Sequence, residues 1–472
     1  MSDTAVPRAA APLPAPPRPS PPAARRRIPL LDVLRGAAIL GTLMTNVWIF
    51  TAPGGEWSVL SGGMPSPAES VLSDPSLPSV AEGVFRFLAD GKFLSLLTVL
   101  FGVGLAVQYE SAAARGQAWP GRYRRRALFL FLEGTLHFTL VFAWDVLMGY
   151  AVTALLVARL LGRSPRARTV AAWTFAGLHL ALVLLVTAAF LTDGSGTGRD
   201  GGAPSPADER AVALYADGGY LDQVAFRLEN FAALRIEPVL SFPLLVLLFL
   251  LGVRLFRAGA FAPDAAGRRI RARLCAWGLG LGLPLNAAAA LAGPDFLMLG
   301  RYTAAPVLAL GYLGLIGVLA DRAARRGRRP GPLTAGLTAV GRTALSAYVA
   351  QNAICALVSY GIGLGLAARF DGAGPWWVMG LWAAVCLVLT LGASLWLRRF
   401  SHGPLEAVQK WALSPRGTAG PAPAGTGEAG AAGPGGAGPV AGTAGTAATG
   451  TAGAAGGEAA GAGARPGDQT LR

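Results

Sequence analysis

The sequence predicts an all-α polytopic membrane protein with about ten transmembrane helices and both termini in the cytoplasm. Of its 472 residues 53% are hydrophobic and only 14% are charged, whereas soluble domains carry about 25% charged residues. Apolar runs of about 18 or more residues recur along the chain, which is the length that crosses a bilayer as a helix. These runs do not alternate polar and apolar residues, so a membrane β-barrel is excluded.

The net charge of +15 comes mostly from arginines that form short clusters between the apolar runs. This placement is typical of the positive-inside rule, under which cytoplasmic connections hold the basic residues. The pattern therefore predicts the orientation and argues against a nucleic-acid partner, which the charge alone would suggest. The three cysteines lie within apolar runs, which favours small buried side chains over a disulfide or a metal site.

The predicted helices follow the apolar runs in order. They cover about residues 28–51, 92–109, 127–143, 146–161, 169–191, 238–256, 274–291, 302–320, 342–362 and 376–397. The connections after odd-numbered helices hold few basic residues, whereas those after even-numbered helices hold several arginines, so the latter are assigned to the cytoplasm. Tryptophans at the outer helix ends agree with an aromatic belt; they are Trp57, Trp144, Trp376 and Trp377.

Three further segments are predicted to be amphipathic. Residues 82–92 lead into the second helix, and a surface helix is expected at Leu221–Leu234 in the longest connection. The stretch PLEAVQKWAL is expected to lie on the inner interface, with Leu405 and Trp411 as anchors.

The two ends of the chain have the composition of disordered cytoplasmic tails. Residues 1–27 are rich in Pro and Ala, and residues 414–472 are low-complexity Gly, Ala, Thr and Pro. The transmembrane domain is therefore expected to cover residues 28–413.

Ionisable side chains in the third predicted helix indicate a functional site. Glu133 and His137 are four residues apart and share one helix face, and Asp145 follows in a tight turn. Ionisable groups at membrane depth cost about 2.5–3.5 kcal/mol on insertion scales and usually mark a site. The structural alternative for Glu133 is a buried neutral acid or a hydrogen-bond anchor.

Depth along the helices adds three residues to this site. Asn46 falls in the same outer half, and Asp90 with Lys92 stands at the outer start of the second helix. In this outer cluster His137 is predicted to be a general base whose ring Asp145 orients. The alternatives are structural: His137 bonding a neighbouring helix, Asp145 capping the fourth helix, and Lys92 reaching the headgroups.

Polar residues also occur at the cytoplasmic end and in the ninth helix. Asp32 and Arg35 are three residues apart and are predicted to form an intrahelical ion pair. The alternative is that they line an inner opening beside the arginines at 122–126, and that an anionic ligand such as a nucleotide-bearing thioester docks in this opening. The positive-inside rule favours the interpretation of those arginines as a topology signal. Gln351 and Asn352 are expected to bond between helices.

The chain contains the stretches LDVLRGAAILGTLMTNVWIF, FLADGKFLSLLTVLFGVGL and RRRALFLFLEGTLHFTLVFAWDVLMGYAVTALL. Together with GRTALSAYVAQNAI they resemble the YeiB family of bacterial inner-membrane proteins, the domain-of-unknown-function 418 family. The resemblance covers about residues 28–413 and implies a multipass protein of the bacterial cytoplasmic membrane.

The first helix is also similar to transmembrane acyltransferases such as heparan-alpha-glucosaminide N-acetyltransferase. The shared pattern is the D-x-x-R-G of Asp32, Arg35 and Gly36, followed by Asn46. This similarity implies acyl-CoA as donor substrate, no bound cofactor, Asn46 as an active-site group, and Asp32 with Arg35 in the inner architecture. Those enzymes carry a histidine after the Asn; this chain has none there, so His137 is our candidate for the base.

Two functions agree with these features. The first is an acyltransferase that moves an acyl group from cytoplasmic acyl-CoA to an extracytoplasmic or lipid acceptor, with Asn46 stabilising the oxyanion. The alternative is a proton-coupled transporter or flippase with His137, Asp145 and Glu133 as a relay. The expected partners are the lipid bilayer, acyl-CoA and an envelope acceptor. The sequence contains no Walker loop, zinc-site spacing or nucleophile elbow.

Overall fold

The computed structural model describes residues 28–61, 67–192, 205–327 and 329–414, and the regular structure in these ranges is entirely helical. The all-α class is therefore confirmed for the described part of the chain. The predicted tails at 1–27 and 414–472 lie outside these ranges, except for Ser414.

Within the described residues, six helical stretches are long and apolar enough to cross a membrane. They are Pro29–Thr51, Leu77–Ala114, Pro165–Thr192, Ala265–Leu291, Pro294–Arg325 and Pro375–Arg399. These stretches indicate a membrane protein. The other four predicted spans fall on helices of only 15 to 18 residues. At about 1.5 Å per residue such helices are shorter than the roughly 30 Å hydrocarbon layer.

The helices are numbered in chain order. The first ten are α1 Pro29–Thr51, α2 Ser58–Ser61, α3 Pro67–Ser73, α4 Leu77–Ala89, α5 Lys92–Ala114, α6 Tyr123–Leu140, α7 Leu147–Leu161, α8 Pro165–Thr192, α9 Pro206–Asp217 and α10 Tyr220–Glu229. The rest are α11 Phe231–Leu234, α12 Ile236–Leu240, α13 Phe242–Arg257, α14 Ala265–Leu291, α15 Leu297–Leu299, α16 Ala305–Arg325, α17 Pro332–Arg342, α18 Ala344–Ser359, α19 Leu366–Arg369, α20 Pro375–Arg399 and α21 Pro404–Leu413. Short 3₁₀ turns occupy Gly55–Trp57 and Pro294–Phe296, and a π-helical turn occupies Gly300–Ala304.

Helix α1 lies at the centre of the bundle, where it packs against α5, α17, α18 and α20. Glycines allow its backbone to touch that of α17. A Cβ atom at Gly341 would lie 1.8 Å from the carbonyl oxygen of Asp32, and one at Gly36 would lie 2.0 Å from that of Leu337. Small residues are what such close helix contacts in membranes require.

The ninth predicted helix, 342–362, is broken in the structure. Thr343 leaves helical geometry at φ −113° and ψ 34°, so α17 ends before it and α18 begins after it. Glu406 of α21 caps α18, because its Oε1 accepts hydrogen bonds from the backbone N–H groups of Leu345 at 2.7 Å and Ser346 at 3.4 Å. A carboxylate at this position satisfies unpaired N–H groups and interacts favourably with the helix dipole.

The connection after α8 forms a folded cap, which we define as α9–α11. The sequence predicts a surface helix there, but Arg227 of α10 is only 1% exposed. Its Nε and Nη2 donate to the two carboxylate oxygens of Glu56 at 2.9 and 3.0 Å, and the Tyr215 hydroxyl donates to the same carboxylate at 3.2 Å. The predicted helix therefore forms as α10 and α11 and keeps an exposed side with Leu221 and Leu228, while Arg227 on its other side makes a buried ion pair with a distant segment.

Candidate active site

The connection between α6 and α7, residues 141–146, carries Asp145, which is 1% exposed. Its Oδ2 accepts hydrogen bonds from the backbone N–H groups of Leu147 at 3.0 Å and Met148 at 3.2 Å, so it caps α7. Its Oδ1 accepts a longer bond, 3.4 Å, from the Tyr348 hydroxyl of α18. Burial raises the pKa of Asp145 to about 6, although Arg235 and the backbone donors oppose this effect. The buried carboxyl therefore holds a proton more readily than an ordinary aspartate does.

His137 of α6 lies beside the same tyrosine. The imidazole is 2% exposed and stacks on the Tyr348 ring with 5.2 Å between ring centroids. Its Nε2 lies 3.0 Å from the side-chain amide nitrogen of Asn352, while its Nδ1 has no hydrogen-bond partner among the described residues. We call His137, Asp145, Tyr348 and Asn352 the Asp145 cluster. Tyr348 is its central member, because it contacts both the imidazole and the carboxylate.

Two residues hold the backbone of this connection in place. Arg235 donates from Nη1 to the Asp145 carbonyl oxygen at 2.7 Å, and its guanidinium lies 4.1 Å from the centre of the Phe138 ring. Burial lowers the pKa of Arg235, although the neighbouring Asp145 raises it. On α6, a Cβ atom at Gly134 would lie 2.5 Å from the Met148 nitrogen and 2.8 Å from Asp145 Oδ2. Gly134 therefore permits α6 to approach the capped end of α7.

A cavity of about 250 Å³ reaches the cluster from one side. Tyr348, Val146 and Leu147 line it together with apolar side chains of α1 and α5. Three arginines also line it, Arg35, Arg126 and Arg342, together with the single carboxylate of Glu406. We call it the Arg35 cavity. It combines apolar walls with an excess of positive charge, which suits an anionic amphiphile.

The arginines of this cavity come from three helices. Arg35 contacts Asp32 at 3.6 Å, so the predicted intrahelical pair forms and Arg35 also lines the cavity. Arg342 donates to the Ser401 carbonyl oxygen at 3.4 Å, while its buried Nε has no partner among the described residues. Of the arginines at 122–126, Arg126 alone lines this cavity.

A smaller cavity of about 50 Å³ lies on the other side of the connection. Asp145 lines it with Tyr150, Glu237 and Arg301, and we call it the Asp145 cavity. Val146 lines this cavity and the Arg35 cavity as well. At Val146, the connection that carries Asp145 therefore separates the Arg35 cavity from the Asp145 cavity.

Asn46 does not join the cluster. It lines neither of the two cavities, and no hydrogen bond connects it to His137; the amide beside the imidazole belongs to Asn352. Rise per residue predicts height along a helix but not the direction in which a side chain points. Asn352 belongs to the pair of mid-span amides predicted to bond between helices. Tyr348 precedes it by four residues on the same helix face and is the member that sequence reasoning missed.

The remaining predicted site residues lie elsewhere or stand alone. Asp90 and Lys92 line a third cavity, of about 320 Å³, which we call the Lys92 cavity. Glu133 has a buried Oε2 without a hydrogen-bond partner among the described residues. The structure thus brings together His137 and Asp145 but places Asn46, Asp90 and Lys92 outside their cluster.

Comparison with known proteins finds a family model and relatives that are described only as uncharacterised. Residues 255–415 match the family model described as protein of unknown function, DUF418. The chain is 28% identical over 397 residues to the uncharacterised protein YxaH of Bacillus subtilis (strain 168), covering 80% of this chain and 92% of YxaH. It is 27% identical over 410 residues to the uncharacterised protein YeiB of Escherichia coli (strain K12), covering 83% of this chain and 97% of YeiB.

Proposed function

The chain belongs to the DUF418 family, to which its relatives YxaH and YeiB connect it, and we propose that it is a membrane acyltransferase. We place it in the bacterial cytoplasmic membrane with both termini in the cytoplasm and ten transmembrane helices, four of which are short, with 15 to 18 residues. One observation carries the proposal: Asp145 and Tyr348 stand between a cavity lined by arginines and a second, smaller cavity.

The Arg35 cavity would bind the acyl-CoA donor. Guanidinium groups of Arg35, Arg126 and Arg342 match the phosphates of the nucleotide part, because a guanidinium donates two parallel hydrogen bonds to one phosphate. The apolar walls would hold the pantetheine arm and the acyl chain, with the thioester near Tyr348. The arginine-rich end faces the cytoplasm under the positive-inside rule, and acyl-CoA is found there.

The acceptor hydroxyl or amine would enter the Asp145 cavity. Asp145 accepts its proton while the acceptor oxygen or nitrogen attacks the thioester carbonyl carbon, and Tyr348 donates a hydrogen bond to the developing oxyanion. The new C–O or C–N bond forms, the C–S bond breaks, and the proton passes to the departing thiolate to give free CoA. His137 lines neither cavity, so in this mechanism it positions the Tyr348 ring rather than acting as the base.

Binding of acyl-CoA to the purified protein tests the donor site. We expect Arg126→Gln to weaken acyl-CoA binding about tenfold, the size of one lost charge-assisted contact of ~1.5 kcal/mol. Arg125→Gln is the matched control, because Arg125 belongs to the same cluster but is exposed and does not line the cavity. Equal binding by wild type and both variants, or no binding at all, would contradict the donor site.

The rate of CoA release tests the chemical step. Tyr348→Phe should lower it by about 10²–10³, the usual cost of losing one oxyanion donor, with acyl-CoA affinity unchanged. Asp145→Asn should abolish it. Wild-type rates in both folded variants would remove these two residues from the reaction.

A transporter is the second candidate, and the arrangement of Val146 favours it. Because Val146 lines both cavities, a small movement of the connection would join them into one passage. Asp145 would then carry a proton with the solute. Solute uptake into proteoliposomes driven by a proton gradient without acyl-CoA, and lost in Asp145→Asn, would support this function over acyl transfer.

A further inference from the structure

Lys92 is a buried cation that forms no close ion pair with a described residue, although the Asp90 carboxylate lines the same cavity. It is 5% exposed, and no hydrogen bond or ion pair within 4 Å joins its ammonium group to a described residue. Its one close aromatic contact is the Phe87 ring, 5.1 Å from Nζ to the ring centre. Arg301, the neighbouring cation, is instead paired with Glu237 at 3.4 Å. Burying an ammonium group costs free energy unless an anion compensates its charge, so this position favours the binding of an anionic ligand.

The backbone adds to the positive potential at Lys92. Lys92 is the first residue of α5, whose N-terminus no side chain caps. The preceding Gly91 adopts φ 74°, and a Cβ atom there would lie 2.5 Å from the Arg301 carbonyl oxygen. The N-terminal end of a helix carries a partial positive charge and favours anions. A buried lysine and a helix N-terminus therefore meet at the same place.

Most of the side chains that line the Lys92 cavity are apolar, although Arg86, Asp90, Asn286 and Arg301 also line it. Its walls come from α3, α4 and the end of α14, and include Val84, Phe87 and Leu297. Leu72 and Leu291 at its edge are 70% and 67% exposed. Exposed aliphatic side chains beside a cavity suit the hydrocarbon of a lipid, whereas a site for a free inorganic anion has no need of them.

We propose that the Lys92 cavity binds an anionic membrane phospholipid, with the phosphate at Lys92 and one acyl chain along the α4–α14 wall. Arg301 lines this cavity and the Asp145 cavity, so a hydroxyl of the lipid headgroup lies on the way to Asp145. On the basis of the proposed function, this lipid is the acyl acceptor. Its hydroxyl oxygen bonds to the acyl carbon, and its proton leaves with the CoA thiol through Asp145.

Lipid binding to the full-length protein, freed of lipid in detergent, is the test, with native mass spectrometry as the readout. We expect dioleoylphosphatidylglycerol to bind at least tenfold more tightly than dioleoylphosphatidylcholine. In Lys92→Gln, the affinity for dioleoylphosphatidylglycerol should fall to that for dioleoylphosphatidylcholine. Lys92→Arg should retain the preference for the anionic lipid, and this comparison separates loss of charge from loss of folding. The matched control is Lys410→Gln, because the chain has two lysines and Lys410 is exposed on α21; it should leave the preference unchanged.

Several outcomes would overturn the lipid site. They are equal binding of the two lipids by wild type, an undiminished preference in Lys92→Gln, and displacement of the lipid by inorganic phosphate at equal concentration. A preference that depends on Lys92 in a protein that binds no acyl-CoA would support the lipid site and contradict only the proposed reaction. Acyl transfer to a water-soluble acceptor, equally fast in Lys92→Gln, would support the reaction and overturn the lipid as acceptor.

Discussion

The ion pair between Glu56 and Arg227 allows a prediction that needs no substrate. Its side chains are 0% and 1% exposed, and two hydrogen bonds join them. Arg227 also donates from Nη1 to the Thr139 carbonyl oxygen at 3.2 Å and from Nη2 to that of Val141 at 3.4 Å. The pair thus attaches the cap to the C-terminal end of α6 and to the first residue of the connection that carries Asp145.

Removal of one partner leaves the other charge buried and unpaired. Breaking a buried pair in this way costs about 3–5 kcal/mol. The melting temperature of a large domain shifts by about 2 °C per kcal/mol. Arg227→Met should therefore lower the melting temperature by about 6–10 °C, and Glu56→Gln should have a similar effect. The Glu56→Gln, Arg227→Met double variant should lose less than the sum, because neither single charge is then left unpaired.

Thermal unfolding in detergent, followed by fluorescence-detected size exclusion, measures this loss. The cap itself offers the control: Arg210 and Glu229 form a second ion pair at 3.1 Å, but their side chains are 62% and 53% exposed. Exposed pairs contribute about 0–1 kcal/mol, so Arg210→Met should shift the melting temperature by at most about 2 °C. The prediction is contradicted if Arg227→Met melts within 2 °C of wild type, or if Arg210→Met lowers the melting temperature as much as Arg227→Met does. Burial would then not strengthen the Glu56–Arg227 pair.

Three further predictions concern acid–base chemistry and helix packing. If Asp145 is the base, the rate of acyl-CoA consumption should fall as the pH drops through about 6, because below its raised pKa the Asp145 carboxyl is protonated and cannot accept a proton. A pH–rate profile without this fall would exclude Asp145 as the base. Gly341→Ala places a methyl group 1.8 Å from the Asp32 carbonyl oxygen and should lower the free energy of unfolding by about 1–3 kcal/mol. Gly280→Ala is the control, because Gly280 has open space around it and the substitution should not destabilise the protein. Glu406→Gln removes the charged cap of α18 and should cost about 0.5–2 kcal/mol, with faster hydrogen exchange at the first amides of α18 and normal exchange elsewhere.

The sequence by itself determined the helical class and the approximate position of the six stretches that are long and apolar enough to cross a membrane. Apolar length reports directly whether a helix can be solvated by hydrocarbon, and this property does not depend on neighbouring helices. It also singled out Asp145 and His137, since an ionisable group within an apolar run is costly wherever the helix packs. The ends of helices were less accessible: one predicted span divides at Thr343 into α17 and α18, and the cap of α18 comes from Glu406, some 60 residues later.

The tertiary structure alone decided which side chains meet. His137 contacts Asn352 rather than Asn46, because the rotation of a helix about its axis is set by packing against its neighbours and not by its own sequence. Arg227 is buried because Glu56, 171 residues earlier in the chain, lies opposite it. Such pairings depend on long-range geometry, and a charged residue in a polar connection carries no local sign that it will be covered. The physical reason is that burial is a property of the assembled bundle, whereas hydrophobicity belongs to each segment.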